Sequence, residues 1–162
     1  MTDSTVLRVR DVAVTFSRRG RRHATSGVRA LDGGSLELAR GETLGVVGES
    51  GSGKSTLARV VMRLLDADRG EVELDGVRVD QLSASELRRL RPQFQMVFQD
   101  PYSSLDSSMT VGESIAQPLV VHRTVPKSER PDAVAALLER VGLGRDYADR
   151  YPDELSGGQR QR

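Results

Sequence analysis

The chain has no cysteine and no tryptophan. Without thiols it can form neither a disulfide framework nor a thiolate metal site. Its two histidines, His23 and His122, stand far apart with no ligand-like spacing, so nothing points to a zinc centre. Aromatics make up only 4% of the residues, and a core must therefore lean on Val, Leu and Ala. No apolar run approaches the roughly 20 residues of a membrane-spanning helix. The opening MTDSTVLRVR has no apolar stretch of the secretory kind either, and the chain is expected in the cytoplasm unless a partner holds it at a membrane. The net charge of +1 gives no large excess of one sign, which argues against nucleic acid or another large polyanion as a partner. One basic run, Arg18, Arg19, Arg21, Arg22 and His23, is broken only by Gly20. It reads as a solvated loop, with contact to anionic lipid head groups or nucleic acid as the alternatives.

What remains is 37% hydrophobic and 29% charged over 162 residues, enough for one domain with a real core or a piece of a larger one. Apolar alternation at Val12, Val14 and Phe16 predicts a strand over Val6 to Phe16. A second strand is expected over Ser35 to Ala39, with a turn at Arg40-Gly41. The apolar runs Thr43 to Val47 and Phe94 to Phe98 read as strands buried on both faces. From Lys54 the period changes: Leu57, Val60, Val61, Leu64 and Leu65 describe one helical stripe. Glu71 to Leu74 predicts a strand before an Asp75-Gly76 turn. Capping boxes at Ser83/Glu86 and Thr110/Glu113 open two helices, stopped near Pro92 and before Pro118. A further helix covers Lys127 to Val141, with Gly142 as its C-terminal cap. This order predicts an α/β core carrying a helical insertion.

The sharpest local signal is Gly48-Glu49-Ser50-Gly51-Ser52-Gly53-Lys54-Ser55-Thr56, which matches the P-loop pattern. A loop that wraps phosphates must turn several backbone N–H groups inward, and glycine tolerates the dihedrals this requires. The helix beginning near Lys54 adds the positive end of its dipole. Lys54 would set an ammonium on the β- and γ-phosphates, Ser55 a hydroxyl on Mg²⁺, and Thr56 would lie near the α-phosphate. Gly48, Ser50, Gly51, Ser52 and Gly53 complete the candidate cradle.

A second glycine-rich sequence, Leu155-Ser156-Gly157-Gly158-Gln159, is followed by Arg160-Gln161-Arg162. LSGGQ resembles the signature motif of ATP-binding-cassette (ABC) ATPases. Physically it is another anion site, since Ser156 and the two glycines would expose N–H groups at a helix start. Gln99, in Val97-Phe98-Gln99-Asp100-Pro101, resembles the glutamine of the family's Q-loop, whose amide can meet Mg²⁺ or the attacking water. Lys54 and Gln99 are thus the catalytic candidates, and Ser55 and Gln99 the metal candidates. The family also stacks adenine on an aromatic ring after the first strand. Phe16 is the candidate here, a core role for it being the alternative and His23 the second choice.

The resemblance runs from about Val6 to Arg162 and implies an α/β fold of ABC type. That fold would comprise a P-loop sheet core with an N-terminal antiparallel β portion over about 1–100, and a helical subdomain with the Q-loop over about 101–162. Residues 48–59, 96–106 and 150–162 look like importers of oligopeptides, dipeptides or nickel. The resemblance implies ATP and Mg²⁺ as cofactors and a second ABC subunit, identical or different. It also implies transmembrane permease subunits on the inner face of the membrane and, indirectly, an extracytoplasmic substrate-binding protein. In the family an apolar strand ending in Asp-Glu, and later a histidine, follow the signature. This sequence stops at Arg162, before all three, and the isolated chain is expected to be inactive or very weak as an ATPase. A nucleotide-binding remnant and a non-transport ABC ATPase are the rival readings.

Overall fold

Valine carries the interior of the first half, as the scarcity of aromatics requires. In the computed structural model, residues 5–16, 27–100 and 104–162 are described. The basic run Arg18 to His23, and with it the second stacking candidate, lies outside them. The chain divides into two units, Met1–Gln95 and Met96–Arg162.

The first unit is built on a four-stranded antiparallel sheet of order β2-β1-β3-β4, with β1 (Thr5–Phe16), β2 (Val28–Ala39), β3 (Arg69–Leu74) and β4 (Val77–Arg78). A left-handed Asp11 (φ 47°) falls where the pairing of β1 with both neighbours shifts, and Val12, Ala13 and Val14 are buried in succession. That bulge interrupts the simple alternation read from the sequence. Gly70 crosses β1 here: a side chain on it would run into the backbone of Arg10, Asp11 and Val12. β3 and β4 are joined by Asp75-Gly76, both at positive φ, the two-residue hairpin turn expected of that pair. Helix α1 (Lys54–Val61) lays Val60 into a core of Val9, Val12, Val14, Val72 and Val79. It ends earlier than its apolar stripe, because Arg63 turns left-handed (φ 52°) and Arg91 donates to the carbonyls of Met62 and Arg63. Helix α2 (Ala84–Leu90) starts at Ser83 with both bonds of its capping box formed.

Two expected strands are not formed. Residues 43–47 and 94–98 have no ladder partner, and Val47 and Val97 are 92% and 89% exposed. A strand buried on both faces needs neighbours at its edges and cover above and below. Among the described residues nothing supplies either.

The second unit is helical. Helices α3 (Val111–Val121) and α4 (Arg130–Arg140) enclose Val111, Val134, Leu138, Leu143 and Leu155. The Thr110/Glu113 capping box opens α3 as read from the sequence. The helix does not stop before Pro118, because the proline removes a single N–H and the ladder runs on to His122, which donates to the Pro118 carbonyl at 3.0 Å. Gly142, at φ 73°, follows α4 as its cap. The short helix α5 (Gly157–Gln161) closes the unit.

Candidate functional site

Between β2 and α1 the chain makes a loop that turns left-handed at Gly41 (φ 79°), Gly51 (φ 85°) and Gly53 (φ 93°), a conformation glycine adopts without strain. Gly53 is doubly constrained: a Cβ there would collide with the Ala30 carbonyl and come within 2.9 Å of Leu31 Cδ2. The loop therefore lies directly on β2. Gly53 also stands at the N-cap of α1 with no side chain to satisfy the first turn, and that turn holds no acidic residue. Its N–H groups are left as donors beside a positive helix end. Lys54 folds back across the loop, donating from Nζ to the carbonyls of Gly48 and Glu49, both at 2.7 Å, and to Ser52 Oγ at 3.2 Å. A cavity of about 140 Å³ is lined by Ala30, Gly51, Gly53, Lys54, Ser55 and Thr56. Donors, an ammonium and the hydroxyls of Ser55 and Thr56 are the chemistry a phosphate chain with its magnesium calls for. The residues present fit such a group, with Ser50 and Ser52 exposed on the same loop.

Phe16 ends β1 opposite Val28, two residues along β2 from the cavity-lining Ala30. It is 45% exposed, which leaves ring area for an adenine rather than burying it in the core. Gln99 is exposed in the irregular segment that follows residues 94–98. It belongs to the second unit and the cradle to the first.

The LSGGQ sequence is a capped helix start. Ser156 Oγ accepts from the N–H of Gln159 at 3.3 Å, while Gln159 Oε1 accepts from the N–H of Ser156 at 2.9 Å. This reciprocal pair leaves the N–H groups of Gly157 and Gly158 without an intrahelical acceptor. Gly158 has ordinary helical dihedrals and nothing within 4 Å of a would-be Cβ, so the fold itself does not require glycine there.

Two contributors were not visible in the sequence. Ala30 joins the cradle only because β2 runs beneath the loop, and Tyr147 meets the signature only because its turn packs beside α5, with Gln159 Nε2 donating to Tyr147 Oη at 2.9 Å. Nor does size mark the site. Roomier cavities of about 310 and 560 Å³ lie beside Arg63 and Asp80, and between α3 and α4.

The sequence profile of the ABC transporter family matches residues 31–162. The chain is 50% identical over 159 residues to the glutathione import ATP-binding protein GsiA of Shigella dysenteriae serotype 1 and 49% to that of Escherichia coli K12. Each match covers 97% of this chain and 26% of the relative, so the chain spans about a quarter of their length. Among solved structures, the dimeric post-hydrolysis state of the ATP-binding cassette MJ0796 bound to ADP and Pi superposes with a TM-score of 0.78 at 27% identity, over 95% of this chain and 65% of that one. CbiO1 from Clostridium perfringens, part of the ABC transporter complex cbiONQ, gives 0.76 at 27% identity, over 98% and 59%. With the profile covering most of its length, and a folded cassette architecture around its two glycine-rich helix starts, the chain belongs to the ABC transporter family.

Proposed function

We propose that this chain is the nucleotide-gripping part of an ATP-binding subunit that couples ATP binding and hydrolysis to import of small peptides, glutathione being one such tripeptide. The observation that carries the reading is the cradle at Gly48 to Thr56, with Lys54 folded across it, in a chain half identical to glutathione import ATP-binding proteins. Lys54, Ser55, Thr56 and the loop N–H groups hold the phosphates of ATP and its Mg²⁺, and Phe16 faces the adenine. Magnesium, when bound, would neutralise phosphate charge, and Gln99 is the residue whose side-chain amide would serve the metal and the attacking water. Ser156, Gly157, Gly158 and Gln159 close over ATP held by a second ABC subunit, and that closure moves permease subunits at the inner face of the membrane. ATP drives the closure because it binds the closed pair more tightly than the open one. No helix among the described residues is long and apolar enough to cross a membrane, which suits a subunit held there by partners.

The test is Mg-ATP affinity of the native polypeptide beside a Lys54→Ala variant. Loss of an ammonium serving two phosphates should weaken binding by about 100-fold. Equal affinity in the two proteins would remove the cradle from the reading.

A further inference from the structure

We propose that Tyr147 is a positioning residue for the signature: its hydroxyl orients the amide of Gln159, and through it the direction in which Ser156, Gly157 and Gly158 face an anion. The inference rests on the reading above, in which that helix start closes over ATP.

The start of helix α5 is held by one side chain. Gln159 uses both ends of its amide, accepting at Oε1 from the N–H of Ser156 (2.9 Å) and donating from Nε2 to Tyr147 Oη (2.9 Å). The backbone N–H of Ser156 can only donate. A Gln159 amide turned over would set donor against donor there, so the Ser156 N–H fixes which end faces it, and the Tyr147 hydroxyl anchors the other end in place.

Tyr147 is a firm post for this purpose. Its ring packs on the core of the second unit, and the Arg150 guanidinium covers one face at 4.1 Å from the ring centroid. Arg150 is itself held by Asp146 at 2.6 Å, and its carbonyl accepts from the N–H of Val111 at 2.9 Å. The same turn is thereby tied to the first residue of α3. Of the signature's donors, the Ser156 N–H and the Gln159 N–H are already committed to the capping pair. The Ser156 hydroxyl proton and the N–H groups of Gly157 and Gly158 are those left to meet an anion, and the capping pair aims all three. Releasing the far end of Gln159 loosens that pair without touching any donor.

The experiment is association of the native polypeptide driven by a non-hydrolysable ATP analogue with Mg²⁺, followed by sedimentation, for wild type, Tyr147→Phe, Gln159→Ala and the double variant. Phenylalanine keeps the ring and its packing, and the melting temperature verifies this. Tyr147→Phe should weaken association by about fivefold, the worth of one partly buried neutral hydrogen bond, while nucleotide affinity of the dissociated protein stays unchanged. In the Gln159→Ala background the same change should have no further effect. Undiminished association of Tyr147→Phe would overturn the inference, as would an equal loss in both backgrounds, which would mean that Tyr147 acts through packing. A wild-type protein that does not associate would overturn the reading beneath it and this inference together.

Discussion

The two glycine-rich helix starts present N–H groups to solvent by opposite means. At α1 the N-cap is a glycine with φ 93° and no capping side chain, and the loop rests on the backbone of β2. At α5 the N-cap is Ser156, reciprocally bonded to Gln159, and a Cβ on Gly158 would meet nothing. The first arrangement curls loop, lysine and helix start around one small volume and is a grip in its own right. The second exposes a few aimed donors on an open surface. In the first place glycine is demanded by the chain's own backbone, and in the second nothing in the fold demands it.

Gly53→Ala and Gly158→Ala should separate these two cases most sharply. A β-carbon at Gly53 meets the Ala30 carbonyl and is held at a left-handed φ, so the variant should lose about 3 kcal/mol of stability in chemical denaturation and most of its nucleotide affinity. Gly158→Ala should leave stability unchanged or raise it by about 0.5–1 kcal/mol, from helix propensity alone, while impairing ATP-driven association. Comparable destabilisation by both would break the contrast. Next in size, Ser156→Ala removes the cap of α5 and should cost about 1 kcal/mol in the second unit. The cradle has no capping side chain to lose, so no side-chain truncation at Gly53 can mimic it. The α5 amides in hydrogen exchange would register the difference.

The smallest expected effect is on acid stability. In the cradle's unit, paired hydrogen bonds from the Arg78 guanidinium hold the Asp80 carboxyl below its ordinary value, and the N–H of Val72 adds a third at 3.0 Å. The unfolded chain takes up this proton first. Stability from Asp80 is therefore complete above the usual carboxylate range and is lost as pH falls through it towards the depressed native value. Asp80→Asn should flatten the acid limb of melting temperature against pH. In the signature's unit the comparable group is Asp106, held low by the hydroxyl and N–H of Ser108, but it is exposed and solvent screens its contribution. An acid limb unchanged in Asp80→Asn would place the sensitivity elsewhere.

Much of this was legible beforehand where the cause is local. The capping boxes at Ser83 and Thr110, the Asp75-Gly76 turn and the Gly142 cap each depend on a few neighbouring residues, and each formed where the sequence placed it. Arg63 was not legible, because nothing in its neighbours announces a left-handed residue that ends α1 early. Helix α3 passing through Pro118 was missed for the converse reason: a breaker near a helix end costs one bond, and the surrounding turns absorb it. Residues 43–47 and 94–98 carry an apolar pattern that promises strands, but a strand is a property of pairs.

By itself, then, the sequence determined the chemistry on offer: a glycine loop with Lys54, Ser55 and Thr56, and a capped start at Ser156 with two glycines. Spacing along the chain suffices for both, since each is assembled within fewer than ten residues. Tertiary structure alone decided that β2 lies beneath Gly53, that Phe16 stands two residues along the ladder from the cradle's wall, and that Tyr147 reaches Gln159. Those are meetings between distant segments, fixed by strand register and by packing around the two cores, and no local pattern encodes them.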